Sequence, residues 1–221
     1  MDFLLDSPVK KRVFKNLLWG ETYVPDSLQK FKPSLIRHIL SKMVEPTNNM
    51  VLEWDNLVGV QEIKACLEEW LLMPLLNPTI FGNTTSVGRT ILLFGPSGCG
   101  KSAIAKAISC EEQIICFSIK PCLLGDKDFI PTLFQVAKEL KPPVILLENI
   151  DCVLSKKEIR QQLLLEMSSI QSDKVILLAT TNKPQVLDLD MINQFTKRLY
   201  ISVSMISQEF KFCGMQWQLL E

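Results

Sequence analysis

Short apolar runs alternate with helical patterns through the second half of the chain. Runs typical of strands occur at residues 90–94, 113–119, 144–147, 175–180 and 199–203. Apolar residues at helical spacing fill the intervals, at residues 101–109, 128–140 and 156–170. Strands that are apolar throughout are typical of a sheet buried on both faces. The alternation therefore predicts an α/β fold, in which five strands form a parallel sheet covered by helices on both faces.

Before residue 90 the pattern is helical. A first helix is predicted to begin at Asp26 and Ser27, which are common helix caps, and to end before Pro46. Its apolar residues recur at helical spacing, at Leu28, Phe31, Leu35, Ile36, Ile39, Leu40 and Met43. A second helix is predicted to end near Pro74 and to carry Ile63, Cys66, Leu67, Trp70 and Leu71.

Length and charge narrow the class of protein. The chain has 221 residues, 47% of them hydrophobic, which suits one domain with an appended segment. Basic and acidic residues balance at 24 each, so no strong field favours nucleic acid or an anionic membrane. The N-terminus does not resemble a secretory signal, and apolar stretches such as residues 70–76 are too short to cross a bilayer. We therefore expect a protein of the cytosol or nucleus.

The cysteines and the one histidine do not form a recognisable metal-binding pattern. There are seven cysteines, an odd number, and none of them forms a CxxC pair. Reduced and mostly buried thiols are the simplest interpretation. His38 has no ligand cluster around it in the sequence, and we expect it on the surface of the first helix.

A glycine-rich loop is the strongest chemical motif. Residues 95–102 read GPSGCGKS and fit the pattern GxxxxGK[ST], with a predicted strand before them and a helix after them. In such a loop backbone N–H groups surround a β-phosphate, while Lys101 reaches the β- and γ-phosphates and the Ser102 hydroxyl ligates Mg²⁺. The predicted phosphate-binding residues are Gly95, Pro96, Ser97, Gly98, Cys99, Gly100, Lys101 and Ser102. A chance glycine-rich turn is the alternative, and the loop alone does not separate kinases, GTPases and ATPases.

Five segments together resemble AAA ATPases, and within them the group that contains fidgetin, spastin and katanin. Residues 54–59 (WDNLVG) are similar to the family's W-D-D-I-A-G segment, and residues 70–81 to its segment ending in P-x-x-F. The phosphate loop with its strand, the Walker B position at residues 144–151 and the ATTNKP sequence at residues 179–184 follow in the family's order. The resemblance covers residues 28–201.

The resemblance implies a nucleotide site and an assembly. It places adenine against Leu57, Val58 and Gly59, and makes Asn182 the sensor-one residue that orients the attacking water. A plain turn residue before Pro184 is the alternative for Asn182. The implied ligands are ATP and Mg²⁺, and the implied partners are other AAA subunits in a hexamer and microtubules. Neither nucleic acid nor a membrane is expected.

The same resemblance divides the chain into three parts. We expect a partly helical N-terminal extension at residues 1–50 and an AAA nucleotide-binding domain at residues 51–203. The family continues from its fifth strand into a small helical lid. Here the likeness fades after Ile201, and residues 204–221 are expected to form a short tail in place of that lid.

The catalytic segments depart from the family. Its Walker B strand ends in Asp-Glu, where this chain has Glu148 and Asn149. Glu148 keeps a carboxylate that can support Mg²⁺ through water. Asn149 is neutral and cannot accept a proton from the attacking water, and loss of a general base typically costs about 10²–10⁴ in rate.

Two further departures concern assembly and substrate. The family's arginine fingers, worth about 10³–10⁵ in rate, match Asn193 and Gln194 here. The substrate-binding loop of the family carries an aromatic residue, whereas residues 119–125 contain none. Leu123 and Leu124 are left as weak candidates for contact with a substrate chain.

Three hypotheses follow from this combination. The first is an ATP-binding AAA module that hydrolyses weakly and acts as a regulatory or interaction subunit. The second is an active AAA ATPase that remodels or severs microtubules, with Glu148 or Asp151 as a substitute base. The third is a shortened chain that keeps the fold but neither binds ATP well nor assembles.

Overall fold

Five parallel strands form the centre of the fold. The computed structural model describes residues 28–42, 54, 60–73, 89–109, 115–120, 128–139, 143–170 and 175–202. The strands are β1 (Thr90–Phe94), β2 (Ile115–Ile119), β3 (Pro143–Leu147), β4 (Ile176–Thr181) and β5 (Lys197–Tyr200). They lie in the order β2-β3-β4-β1-β5, and every neighbouring pair is parallel. The predicted five-stranded parallel sheet is confirmed.

Helices cover both faces of the sheet. They are α1 (Pro33–Leu40), α2 (Gln61–Leu67), α3 (Lys101–Ser109), α4 (Phe129–Glu139), α5 (Lys157–Ser169) and α6 (Leu189–Asn193). Helix α2 runs on as a π-helical turn at Glu68–Leu72, and 3-10 turns occupy Ile150–Ser155 and Pro184–Val186. The helices predicted between the strands are thus present, with ends that differ by at most one residue.

Alternate residues of each strand point to opposite faces and build two hydrophobic clusters. One face of the sheet, with Phe117 and Ile145 among its residues, packs against α1, α4 and α5. The other face, with Cys116 and Val144, packs against α2 and α3. Each large apolar side chain buried in this way contributes about 1.5–3 kcal/mol. Burial on both faces explains why the central strands are apolar throughout.

The strand register brings three strand ends to one edge of the sheet. Phe94 at the end of β1 lies beside Thr181 at the end of β4, and Leu147 at the end of β3 lies beside Ala179. The loops that begin at residues 95, 148 and 182 therefore leave the sheet at the same edge. In open parallel sheets this carboxyl edge is where ligands bind.

Helix α1 begins later than the sequence predicts. Residues 28–30 form a turn, and the helix starts at Pro33, after Lys32 in an extended conformation with ψ of 127°. The residue before a proline is disfavoured in the helical region, while proline itself fits the first helical position. The residues that follow Asp26 and Ser27 therefore do not continue a helix from that start. Asp26 and Ser27 themselves lie outside the described ranges.

Strand β5 begins two residues earlier than predicted and ends at Tyr200. Within the described residues it is an edge strand that pairs with β1, and its residues alternate between half-buried and exposed. A search for apolar runs therefore misses Lys197 and Arg198, which form the start of the strand. Val203, the predicted end, lies outside the described residues.

The structure also describes His38, four of the cysteines and several helices. His38 is exposed on α1. The described cysteines Cys66, Cys99, Cys116 and Cys152 form no disulfide; Cys99 and Cys116 are buried, and the other two are half-buried. Cys110, Cys122 and Cys213 lie outside the described residues. Among the helices that the structure describes, none is long and apolar enough to cross a membrane.

Candidate functional site

The glycine-rich loop leaves β1 in a conformation that needs glycine. A Cβ atom on Gly95 would lie 2.1 Å from the backbone oxygen of Ile201, far inside any normal contact. Ile201 is held there because its N–H donates to the Phe94 oxygen at 2.8 Å. Gly98, at the crest of the loop, has φ of 85°, a left-handed value that favours glycine. The chain directly after β5 therefore packs closely against the base of the loop.

Lys101 begins α3 with its side chain under the loop. The side chain is buried, with 5% exposure. Its ammonium donates to the backbone oxygens of Gly95, at 2.8 Å, and of Pro96, and lies 3.3 Å from the Cys99 sulfur. Pro96, Ser97 and Gly98 are exposed at the crest, and Ser102 is exposed in the first turn of α3. The loop therefore presents its crest and the helix N-terminus to solvent while the lysine charge stays within its base.

Glu148 follows β3 and is tied to β2. Its backbone N–H donates to the Ile119 oxygen at 2.9 Å, and its Oε1 accepts a hydrogen bond from the Ser118 hydroxyl at 2.9 Å. The side chain is half-buried. A carboxylate has a second oxygen with its own lone pairs, so one oxygen can be held by Ser118 while the other faces a cation or its water.

Asn149 occupies the next position in a left-handed conformation. Its φ is 56° and its ψ 59°, values that asparagine tolerates better than most residues. Its N–H donates to the Thr180 hydroxyl oxygen at 3.1 Å, and its Oδ1 accepts from the Asn182 Nδ2 at 3.3 Å. Two of the residues predicted for catalysis therefore contact each other across the ends of β3 and β4.

Thr181, at the end of β4, fixes the turn that carries Asn182. Its hydroxyl donates to the Asp151 Oδ1 at 2.9 Å and accepts from the Lys183 N–H at 3.1 Å. Asn182 lies between these two anchored residues and is exposed. The interpretation of Asn182 as a plain turn residue does not account for its contact with Asn149, although its catalytic role stays a prediction.

Sequence reasoning did not single out Ser118, Thr180 or Thr181. Thr180 and Thr181 are fully covered polar residues at the end of an otherwise apolar run, and Ser118 interrupts a run of β-forming residues. A polar residue at the carboxyl end of a buried strand needs a hydrogen-bond partner, so it is a recognisable signal. The partners themselves lie about thirty residues away and cannot be identified from spacing.

The positions that match the arginine fingers lie at the end of α6. Asn193 is exposed and Gln194 is half-buried. The Gln194 backbone oxygen accepts from the Thr90 hydroxyl at 2.6 Å, and its side-chain oxygen accepts from Ser168 at 3.3 Å. These contacts join α6 to β1 and α5. Gln194 therefore contributes to the packing of the fold. The side chains of Asn193 and Gln194 are both neutral.

The predicted adenine-binding residues Leu57, Val58 and Gly59 lie outside the described residues, so their role stays a prediction. Trp54 and Val60 on either side of them are buried in the cluster with α2 and α3. The Trp54 indole donates to the Glu68 Oε1 at 2.7 Å, in the π-helical turn. Trp54 and Val60 thus both pack close to α2.

The oxygen donors at this edge suit magnesium. Ser102 supplies a hydroxyl and Glu148 a carboxylate, both hard ligands that Mg²⁺ prefers. Within the described residues, no group of three or more His, Cys, Asp and Glu side chains could hold a metal by itself. Mg²⁺ commonly keeps several waters and takes phosphate oxygens as its other ligands, so a sparse protein contribution is what such a site requires.

Comparison with known proteins places these observations in a family. Residues 91–203 match the family described as the ATPase family associated with various cellular activities (AAA). A FIGL1 protein of Arabidopsis thaliana, an ATPase family AAA domain-containing protein, is 34% identical over 196 residues, which is 80% of this chain. Spastin of Homo sapiens is 30% identical over 188 residues, or 77% of the chain. The chain spans 28% and 30% of these two proteins.

Solved structures agree with the fold. The crystal structure of the FIGL-1 AAA domain in complex with ADP superposes with a TM-score of 0.70 at 27% identity, over 87% of this chain and 71% of that one. A structure solved to explain katanin self-assembly superposes with a TM-score of 0.70 at 26% identity, over 86% of this chain and 69% of the other.

Proposed function

The chain belongs to the AAA family of ATPases, and on that premise we propose that it binds ATP with Mg²⁺ at the carboxyl edge of its sheet but hydrolyses it weakly. In this proposal it acts as a regulatory or interaction subunit beside other AAA subunits. The observation that carries the proposal is the hydrogen bond between Asn149 and Asn182, next to a complete phosphate loop.

The loop and α3 support binding. Exposed backbone at the crest, the N-terminus of α3 and the Lys101 ammonium all favour the negative charge of a polyphosphate. The similar FIGL-1 domain was solved with ADP, which supports a nucleotide as the ligand. Ser102 and Glu148 are the residues that would hold Mg²⁺, which would neutralise charge on the phosphate oxygens.

The chemistry of Asn149 supports weak hydrolysis. Asn182 is the residue expected to orient the attacking water, and its described hydrogen bond goes to the Asn149 side chain. A water held there meets an amide oxygen, which accepts a hydrogen bond but cannot take up the proton. Loss of that proton acceptor reduces the rate by about 10²–10⁴.

The neutral residues at the end of α6 support a further loss. Asn193 and Gln194 carry no charge with which to stabilise the transition state in a neighbouring subunit, an effect worth about 10³–10⁵ when an arginine supplies it. The two losses act on one chemical step, so they need not multiply. Assembly with an intact relative fits this pattern, and the katanin structure on self-assembly supports a subunit of this kind.

An active ATPase that remodels or severs microtubules is the second candidate. It is favoured by two carboxylates beside Asn149, those of Glu148 and Asp151. Asp151 is bonded to Thr181, the residue directly before Asn182. If either carboxylate accepts the proton, hydrolysis proceeds without Asn149.

A binding assay and a turnover assay together test the proposal. Radiolabelled ATP and Mg²⁺ are mixed with excess protein, and bound ATP and released phosphate are counted over time. We expect ATP to be retained without product. Product at a rate of order 1 s⁻¹, the ordinary enzyme range, favours the active ATPase. If no ATP is retained, the chain keeps the fold without binding the ligand.

The cytosol or nucleus stays the expected compartment.

A further inference from the structure

Ser118 makes two hydrogen bonds that lead in different directions. It lies on β2, the strand at the edge of the sheet opposite β5. Its backbone N–H donates to the Lys42 oxygen at 3.2 Å, and its hydroxyl donates to the Glu148 Oε1 at 2.9 Å. One residue therefore touches both the segment after α1 and the carboxylate assigned to the metal.

Residues 41 and 42 directly follow a helix that is firmly packed in the core. Ile36 and Ile39 of α1 are 1% exposed or less and belong to the same cluster as Phe117, the neighbour of Ser118 on β2. Leu28, in the turn before α1, is equally covered. The Lys42 oxygen is thus presented to β2 by a helix anchored in the core, and not by a loose terminus.

The Glu148 carboxylate, in contrast, needs a hydrogen bond to fix its orientation. Glutamate has one more rotatable bond than aspartate, so ordering its carboxylate costs more conformational entropy. A hydrogen bond from a hydroxyl to an ionised carboxylate is stronger than one between neutral groups, and it can select a single rotamer. The Ser118 hydroxyl supplies that bond to one oxygen and leaves the other for the cation.

We propose that Ser118 is a positioning residue that fixes the Glu148 carboxylate for the magnesium-bound nucleotide and couples it to the docking of α1. This inference rests on the proposed binding of ATP with Mg²⁺. Because coupling between two sites is reciprocal, binding of the nucleotide at the carboxyl edge also stabilises the contact between α1 and β2.

Nucleotide affinity with and without the metal tests the positioning role. A fluorescent ATP analogue is titrated into wild type and Ser118→Ala, once with Mg²⁺ and once with EDTA. Loss of a residue that orients a metal ligand typically weakens metal binding about 10–100-fold. We expect about tenfold weaker binding of the analogue by Ser118→Ala with Mg²⁺ and no change in EDTA.

Two more variants separate positioning from damage to the fold. Ser118→Thr keeps a hydroxyl and is expected to bind within about threefold of wild type, whereas a general effect of altering β2 weakens both variants. Ser34→Ala, which removes an exposed hydroxyl on α1, serves as the matched control and is expected to bind as wild type does.

Hydrogen exchange tests the coupling to α1. Adding ATP with Mg²⁺ to wild type is expected to slow exchange in peptides covering residues 28–42 and 115–120. In Ser118→Ala the slowing over residues 28–42 is expected to disappear, while exchange without nucleotide matches wild type. Equal slowing in both proteins, or equal loss of affinity with Mg²⁺ and EDTA, overturns the inference. If wild type binds no nucleotide in either buffer, the proposed function itself fails.

Discussion

The side-chain amide of Asn182 donates a hydrogen bond to the side-chain oxygen of Asn149 across 3.3 Å. The two residues follow β4 and β3, neighbouring strands whose ends meet at the carboxyl edge of the sheet. A pair of amides at this place can orient a water between them, since each can donate and accept. It cannot remove a proton from that water. Under the proposed function, the pair therefore orients the attacking water but does not accept its proton.

Replacing Lys101 with alanine is predicted to abolish most nucleotide binding. In the proposed complex the Lys101 ammonium donates to a phosphate, and such a charge-assisted hydrogen bond contributes about 1.5–3 kcal/mol, or roughly 10–100-fold in affinity. Titration with a fluorescent ATP analogue measures the effect. Lys106→Ala is the control, because Lys106 is exposed on the same helix. Equal affinity of the two variants would contradict the assignment of the loop.

Gly95 and Gly98 are predicted to respond differently to alanine. At Gly95 the added Cβ meets the Ile201 oxygen at 2.1 Å, so the backbone must shift, with an expected loss of stability of about 1–3 kcal/mol. At Gly98 the Cβ has no atom within 4 Å, and only the left-handed backbone opposes it, by about 1–2 kcal/mol. Urea unfolding compares them, and we expect Gly95→Ala to lose more. A larger loss of stability at Gly98 would argue against the close contact between Gly95 and Ile201.

Helix α1 is predicted to unfold together with the sheet. Ile39 is fully buried against the core of the α/β domain, so Ile39→Ala should cost about 2–5 kcal/mol of the free energy of unfolding. Arg37→Ala, at an exposed position of the same helix, should change it by less than about 0.5 kcal/mol. Urea unfolding followed by tryptophan fluorescence gives both values. If Ile39→Ala leaves the main transition unchanged, α1 is a separate extension, as the predicted boundary at residue 50 implies.

The bond between Thr181 and Asp151 is predicted to hold the turn that carries Asn182. Thr181→Val keeps the shape and removes the hydroxyl, and Asp151→Ala removes the carboxylate that accepts its hydrogen bond. A double-mutant cycle on stability should give a coupling energy of about 1 kcal/mol, within the range of 0.5–3 kcal/mol for residues in contact. Strictly additive effects of the two substitutions would show that the hydrogen bond contributes nothing to the turn.

The parts of the fold that could be predicted are those governed by local rules. The buried strands β3 and β4 are continuous apolar runs, and the phosphate loop is a contiguous motif whose strand and helix lie directly beside it. The start of α1 could have been predicted too, because Pro33 favours the first helical position and disfavours a helix through Lys32. The start of β5 could not, since an edge strand tolerates the charges of Lys197 and Arg198.

The contacts within the site could not be predicted, for a different reason. Each contact joins two residues about thirty positions apart, and only the strand order brings them together. The pairs are Ser118 with Glu148, Thr181 with Asp151, and Asn182 with Asn149. The resemblance supplied candidate roles for Glu148, Asn149 and Asn182 but not the residues that hold them. The roles of Leu57, Val58 and Gly59, and of residues 204–221, stay predictions.

A single-turnover comparison of wild type with Asn149→Glu tests the central claim most directly. Asn149→Glu supplies the missing proton acceptor, and Asn149→Gln, which lengthens the amide without adding one, is its control. We predict that wild type and Asn149→Gln retain ATP without product, while Asn149→Glu forms phosphate about 10² times faster. Wild type that already forms phosphate at a rate of order 1 s⁻¹, with no gain in Asn149→Glu, would contradict the account and assign the chemistry to Glu148 or Asp151.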